Sequence, residues 1–234
     1  MFLRCEAVRW VDDRTYPVVI EVALTDVTGT RQLLVDKEPM FGGAGSLTAS
    51  TPLPVAVTVF CELLEVDGEE ALITTASPHG VETEDGRTEF RVRLDQLGEV
   101  IAPSNELLDQ AARLFMGRAA GEAYLRSPTS LAFVAVVGSE VVGWCWGFQL
   151  PRPDGASMLY VHQLEVAESS RRLGIGRELV RTFMTAGAAA GATKMFLTTG
   201  ADNTGARAVY DSLGGGLAEQ GPTVNYWFLL DGRV

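Results

Sequence analysis

The stretch Ser169-Ser170-Arg171-Arg172-Leu173-Gly174-Ile175-Gly176-Arg177-Glu178-Leu179 holds the residues best suited to chemistry. An apolar strand pattern precedes two closely spaced glycines, a helical pattern follows them, and arginines flank both sides. Successive backbone N–H groups in such a turn can converge on one anion, and the helix N-terminus adds roughly half a positive charge. Phosphate is the ligand this favours. A dinucleotide fingerprint would need a third glycine where Leu179 stands. A P-loop would need Lys-Ser or Lys-Thr after a glycine, and the chain has neither. A tight helix entry without a ligand is the alternative reading of this segment.

The elements that must position this turn belong to a chain of 234 residues, long enough for one large domain or two small ones. Its 47% hydrophobic and 21% charged residues are those of a globular protein, and no apolar run approaches the ~18 residues of a membrane span. Met1-Phe2-Leu3-Arg4-Cys5-Glu6 carries charge at once and has no apolar core of a secretory signal, so a cytoplasmic protein is expected. Cys5, Cys61 and Cys145 are widely separated, form no C-x-x-C pair and accompany only 2 histidines, which argues against disulfides and a metal site. The net charge of −11 is uneven. Residues 1–100 hold 8 Lys/Arg against 18 Asp/Glu, whereas the remainder is nearly neutral with 11 against 12. Nucleic acid is therefore not an expected partner.

Residues 1–98 read as an acidic all-β domain, a small antiparallel barrel or sandwich. Alternating patterns predict strands at 2–10, 18–25, 31–35, 55–64, 71–75 and 88–94, with hairpin turns at 27–30 and 66–69. The glycines of Phe41-Gly42-Gly43-Ala44-Gly45-Ser46 have no following helix, which argues against a phosphate role. From Ser104 onward the period changes. A helix capped by Ser104 precedes strands at 131–137, 141–150 and 157–166. A helix at 174–190, a strand at 194–199, a helix at 204–213 capped by Asn203 and a strand at 223–230 follow.

This order and these residues resemble the GNAT N-acetyltransferase superfamily over residues 104–234. Arg171-Arg172-Leu173-Gly174-Ile175-Gly176 matches the family's R/Q-x-x-G-x-G/A motif. Asn203 through Gly214 matches N-x-x-A-x-x-x-Y-x-x-x-G. The resemblance implies an α/β (α+β) GNAT fold with a mixed central sheet in a domain at 99–234, acetyl-CoA as co-substrate, and a small-molecule amine as acceptor. Leu125 through Thr129, Glu140 through Gly143 and Tyr160 through Val166 are similar to aminoglycoside acetyltransferases acting on the 3-amino group. Those enzymes carry an acidic residue in the fourth strand where this chain has Gln163, which loosens the tie to that acceptor.

What the resemblance implies for the site is specific. Arg171, Arg172, Leu173, Gly174, Ile175 and Gly176 would cradle the pyrophosphate of coenzyme A. The main chain of Leu164 and Val166, with Asn203, would hold the pantetheine arm, and an amide beside Glu165 would polarise the thioester carbonyl. Tyr210 stands at the family's general acid, and His162 at the strand position from which a base is directed at the amine. Glu165 is the competing base if the strand register moves by one residue, which exchanges the faces. The alternating Trp144, Trp146 and Phe148 read as core or as acceptor-pocket lining, and Asp109, Glu122 and Asp154 as surface charges or carboxylates for a polycation. Three other readings stand beside an aminoglycoside acceptor: a protein N-terminus or lysine, a polyamine, and a non-catalytic acyl-CoA-binding regulator. A homodimer is a further possibility. The 88–94 segment is the candidate for the missing first strand of the second half, in which case both halves share one sheet.

Overall fold

The computed structural model describes residues 1–43, 47–48 and 50–217. Two compact units divide the chain, Met1–Thr198 and Thr199–Val234. The first begins with β1 (Phe2–Asp12), β2 (Val19–Thr25), β3 (Arg31–Lys37), β4 (Phe41–Gly42) and β5 (Val55–Phe60). Next come β6 (Glu62–Asp67), β7 (Glu70–Thr74), β8 (Glu89–Arg93), β9 (Leu97–Ile101), α1 (Asn105–Met116) and α2 (Glu122–Leu125). It ends with β10 (Ser130–Val137), β11 (Glu140–Pro151), β12 (Ser157–Val166), α3 (Ile175–Ala189) and β13 (Ala192–Phe196). The second unit contributes α4 (Thr204–Ser212). The expected strand at 223–230 lies outside the described residues.

One mixed sheet runs β13-β12-β11-β10-β9-β1-β2-β3, with β5 on the other edge of β1 and β4 on β5. Among the described residues only β12 and β13 pair in parallel. A second sheet, β6-β7-β8, turns Ala71, Ile73, Phe90 and Val92 onto the same core as Leu3, Ile20, Val22 and Val57. The first segment is thus two sheets around one core, without the closed barrel offered as one expectation. The predicted strand 55–64 is two strands: the chain turns at the buried Cys61, whose N–H donates to the Met1 carbonyl at 3.2 Å, and then changes sheet.

The predicted pairing partner 88–94 is also corrected. That segment is β8 of the small sheet, and β9 joins the halves through Phe2↔Gly98 and Leu3↔Leu97 on one side and Val134↔Ile101 through Val137↔Gly98 on the other. A glycine and a glutamate interrupt the alternation of β9. Gly98 is needed there, because a Cβ would lie 2.2 Å from the Phe2 ring.

Helices cover both faces of the second half of the sheet. α1 starts at Ser104, whose Oγ accepts from the Leu107 N–H at 3.3 Å, and ends at Gly117 with φ +70°. Its Leu108, Ala111 and Ala112 pack on Val134, Val136 and Trp144. On the opposite face α3 buries Ile175, Leu179 and Phe183 against Phe133, Leu159 and Val161. Burial of a side chain such as Phe183 contributes roughly 2–3 kcal/mol. The turn that opens α3 is held against β12 by this packing.

Candidate active site

The Arg171–Gly176 turn leads into α3. Arg172 and Gly174 both occupy the left-handed region, at φ +66° and +77°. Gly174 is the N-cap of α3 and provides no side chain to cap it. The first helical bond runs from the Glu178 N–H to the Gly174 carbonyl at 3.1 Å, so the amides of Ile175, Gly176 and Arg177 precede the hydrogen-bonded ladder. A Cβ at Gly176 would meet nothing closer than Val166 Cγ2 at 3.7 Å. Packing therefore does not require glycine, although glycine in a helix costs about 1 kcal/mol relative to alanine. The space beside Gly176 lies at uncapped amides, the arrangement in which a helix N-terminus can receive an anion. Arg171 reaches back with Nε to the Val166 carbonyl at 3.0 Å, tying the turn to the end of β12.

β12 supplies the second part of the site. Its parallel pairing with β13 ends at Tyr160↔Phe196, so from Val161 to Val166 one strand edge has no ladder partner among the described residues. The other edge remains paired to β11 through Cys145↔Leu164 and Gly143↔Val166. An open edge of this kind can take an extended segment by main-chain hydrogen bonds, and the glycine turn follows it in the chain.

A β-bulge sets the side chains. Trp146 pairs with Gln163 but Gly147 with Val161, leaving His162 as the extra residue. Val161, Leu164 and Val166 pack toward α3, whereas His162, Gln163 and Glu165 share the opposite face with Trp146. The His162 ring lies 4.4 Å from that of Trp146 and 5.7 Å from that of Tyr160. Trp146 Nε1 donates to Gln163 Oε1 at 3.0 Å, and Gln163 Nε2 donates to Glu165 Oε1 at 2.6 Å. Simple alternation would put His162 and Glu165 on different faces, and the bulge brings them to one. The signal for it was Gly147, one of two glycines inside the β11 pattern, where a glycine marks a bulge or a close backbone approach.

The same face is aromatic. Tyr124 sits edge-on to Trp146 and Phe148 and donates its hydroxyl to the Leu131 carbonyl at 2.9 Å; burial pushes its phenol up from the ordinary value. Trp144 stacks on Phe115 at 5.7 Å, and its buried Nε1 has no hydrogen-bond partner among the described residues. Three sequence-proposed carboxylates have local partners: Asp109 with Arg113 and the Ala120 amide, Glu122 with Arg126, and Asp154 with Arg152. Cys145 is fully buried, and that burial pushes its thiol up to about 12.

In the second unit, Asn203 caps α4 by accepting the Ala206 N–H at 3.1 Å, as expected, and Tyr210 lies on the same helix. No group of His, Cys, Asp and Glu among the described residues could hold a metal ion. No helix among them is long and apolar enough to cross a membrane.

Residues 99–214 match the model of the acetyltransferase (GNAT) family. Aminoglycoside acetyltransferase meta-AAC0020, from an uncultured soil metagenomic sample and in complex with trehalose, is 20% identical with a TM-score of 0.51 over 59% of this chain and 99% of its own. Aminoglycoside acetyltransferase HMB0005, also from uncultured soil, is 24% identical with a TM-score of 0.48 over 57% and 99%. A ribosomal-protein-alanine N-acetyltransferase from Brucella melitensis biovar Abortus 2308 is 18% identical with a TM-score of 0.47 over 56% and 99%. At these identities the likeness concerns fold alone. No curated protein matches the chain. Through residues 99–214, with the glycine turn and the open strand edge they carry, the chain belongs to the acetyltransferase (GNAT) family.

Proposed function

We propose that the protein transfers acetyl from acetyl-CoA to a primary amine of a small polycationic acceptor, with aminoglycosides as the first class to test. The observation that carries this reading is the continuity of the open β12 edge with the uncapped start of α3. Main-chain groups of Leu164 and Val166 line the arm, and Arg171 through Gly176 receive the pyrophosphate. Acetyl-CoA is the donor substrate and supplies an acetyl group activated as a thioester.

The chain's own groups then manage two protons. The amine nitrogen forms a bond to the thioester carbonyl carbon as the carbon–sulfur bond breaks. The proton lost by nitrogen passes to Glu165 or His162, and Tyr210 returns a proton to the departing sulfur. Transfer from a phenol with an ordinary pKa of about 10 to a thiolate whose conjugate acid lies near 8.5 is uphill by about 2 kcal/mol, so the site must favour it for Tyr210 to serve. Gln163 fixes the Glu165 carboxylate, and the aromatic face presents rings to a cation. The 1–98 segment, with its excess of carboxylates, steers polycations at low salt.

Thiol release from acetyl-CoA, measured over a panel of aminoglycosides, polyamines, lysine peptides and N-terminal peptides, tests the reading. Turnover with aminoglycosides and its loss in Glu165→Gln or His162→Asn supports it. Turnover restricted to peptides moves the acceptor to proteins. Coenzyme A binding without turnover of any amine leaves the regulator reading in its place.

A further inference from the structure

The glycine turn is gripped by residues more than a hundred positions away. A Cβ at Gly43 would lie 1.9 Å from the Arg172 carbonyl oxygen, and Gly43 has φ +86°. Next to it, a Cβ at Gly42 would lie 2.1 Å from Thr58 Oγ1 and 3.0 Å from the Leu173 carbonyl oxygen. Gly174 in turn would place a Cβ 3.1 Å from Gly42 Cα. The buried Thr58 hydroxyl donates to the Leu173 carbonyl at 2.8 Å. A little upstream, Arg4 donates to the buried Ser170 hydroxyl at 2.9 Å. Arg172, Leu173 and Gly174 therefore each meet the β4–β5 hairpin at backbone level, and two of these three lie in the left-handed region. A left-handed non-glycine residue costs about 1–2 kcal/mol and persists where its surroundings determine it. Here the surroundings are glycines, the only residues that let two backbones approach so closely.

We propose that Gly42, Gly43 and Thr58 are positioning residues of the acyl-donor site. They hold the Arg172–Gly174 backbone in its anion-binding conformation before the donor arrives, so the N-terminal sheet is a working part of coenzyme A recognition. The glycine-rich 41–43 segment thus serves phosphate binding without touching phosphate. This rests on the donor assignment proposed above.

The test compares full-length wild type with Thr58→Val, Thr58→Ser, Gly43→Ala and Leu34→Ala by coenzyme A calorimetry and steady-state kinetics. Leu34 belongs to the same N-terminal core but makes none of the contacts above, so Leu34→Ala reports general loss of stability. Thr58→Val and Gly43→Ala should raise the coenzyme A Kd and the acetyl-CoA KM about tenfold or more, the scale of one charge-assisted hydrogen bond. The kcat at saturating donor and the amine KM should stay within about twofold, Thr58→Ser should restore binding, and Leu34→Ala should leave Kd unchanged. Unchanged donor affinity in Thr58→Val and Gly43→Ala, or equal weakening by Leu34→Ala, overturns the positioning role while leaving the donor assignment intact. A wild type that does not bind coenzyme A overturns both.

Discussion

Replacing Gly147 with alanine isolates the β12 bulge. A Cβ there would lie 1.8 Å from the Tyr160 carbonyl oxygen, 2.9 Å from its carbon and 3.0 Å from Val161 Cα. All three are backbone atoms, so no side-chain rotation relieves the clash. Restoring ordinary contact means parting β11 from β12 by roughly 1.5 Å at the point where His162 is the extra residue. Overpacking of this kind costs about 1–3 kcal/mol, and each ladder hydrogen bond stretched by the separation adds about 1 kcal/mol. A total near 3 kcal/mol lowers Tm by about 6–12 °C in a protein of this size. The same displacement moves His162 and Glu165 together, and a shift of about 1 Å in reacting groups costs about a hundredfold in kcat. Thermal unfolding and thiol-release kinetics read the two effects. Gly121→Ala is the control, because Gly121 has an ordinary φ of −77° and open space around it. A Gly147→Ala protein with Tm within about 2 °C of wild type and an unchanged kcat would refute the bulge as the device that sets this face.

Three further outcomes follow from particular groups. Tyr210→Phe should lower kcat about tenfold to a hundredfold with the acetyl-CoA KM within about twofold; an unchanged kcat removes Tyr210 from the proton path. Burial holds the Cys61 thiol at about 11 and that of Cys145 at about 12, and pushes Cys5 further up, so the native protein should leave Ellman's reagent almost unreacted at about pH 8. All 3 thiols should titrate after denaturation, and fast reaction of the native chain would contradict the burial. Asp26 accepts from Thr28, Gln32 and the Thr30 amide, which lowers its carboxyl to about 2. A lowered carboxyl stabilises the fold above its ordinary value of about 4 and loses that stabilisation as pH falls through about 2. The Tm difference between wild type and Asp26→Asn should accordingly be full at neutral pH and shrink below about pH 4, and a pH-independent difference would count against the assignment.

How far the sequence discloses this molecule depends on the length scale of each determinant. Ser104, Asn203 and the 27–30 and 66–69 turns are set by neighbours a few positions away, and all appear where their residue types place them. The glycine turn opens α3 where its motif stands, while its left-handed Arg172 and Gly174 also meet Gly43 and Gly42 across the fold. The break at Cys61 and the linking strand β9 depend on partners far along the chain, the Met1 carbonyl and the Phe2 ring, and no local pattern carries them. Gly42 and Gly43 are non-local in the same way: no helix follows them in sequence, yet their backbone lies against the turn that opens α3, reached across the fold.

The face that carries His162 and Glu165 shows this most clearly. Alternation made His162 and Glu165 exclusive choices, because they stand three positions apart and a regular strand sends such residues to opposite sides. Gly147 removes the exclusion by admitting one extra residue on β12, and the chain Trp146, Gln163, Glu165 then fixes the carboxylate beside the ring that His162 lies against. If both serve as the proton acceptors proposed above, two such groups on one face, joined through a shared tryptophan, form a coupled unit. Their removal should therefore be non-additive: the double variant Glu165→Gln with His162→Asn should lose little more kcat than the worse single variant, as groups acting in one step do. Fully multiplicative losses would mean that the two residues act in separate steps.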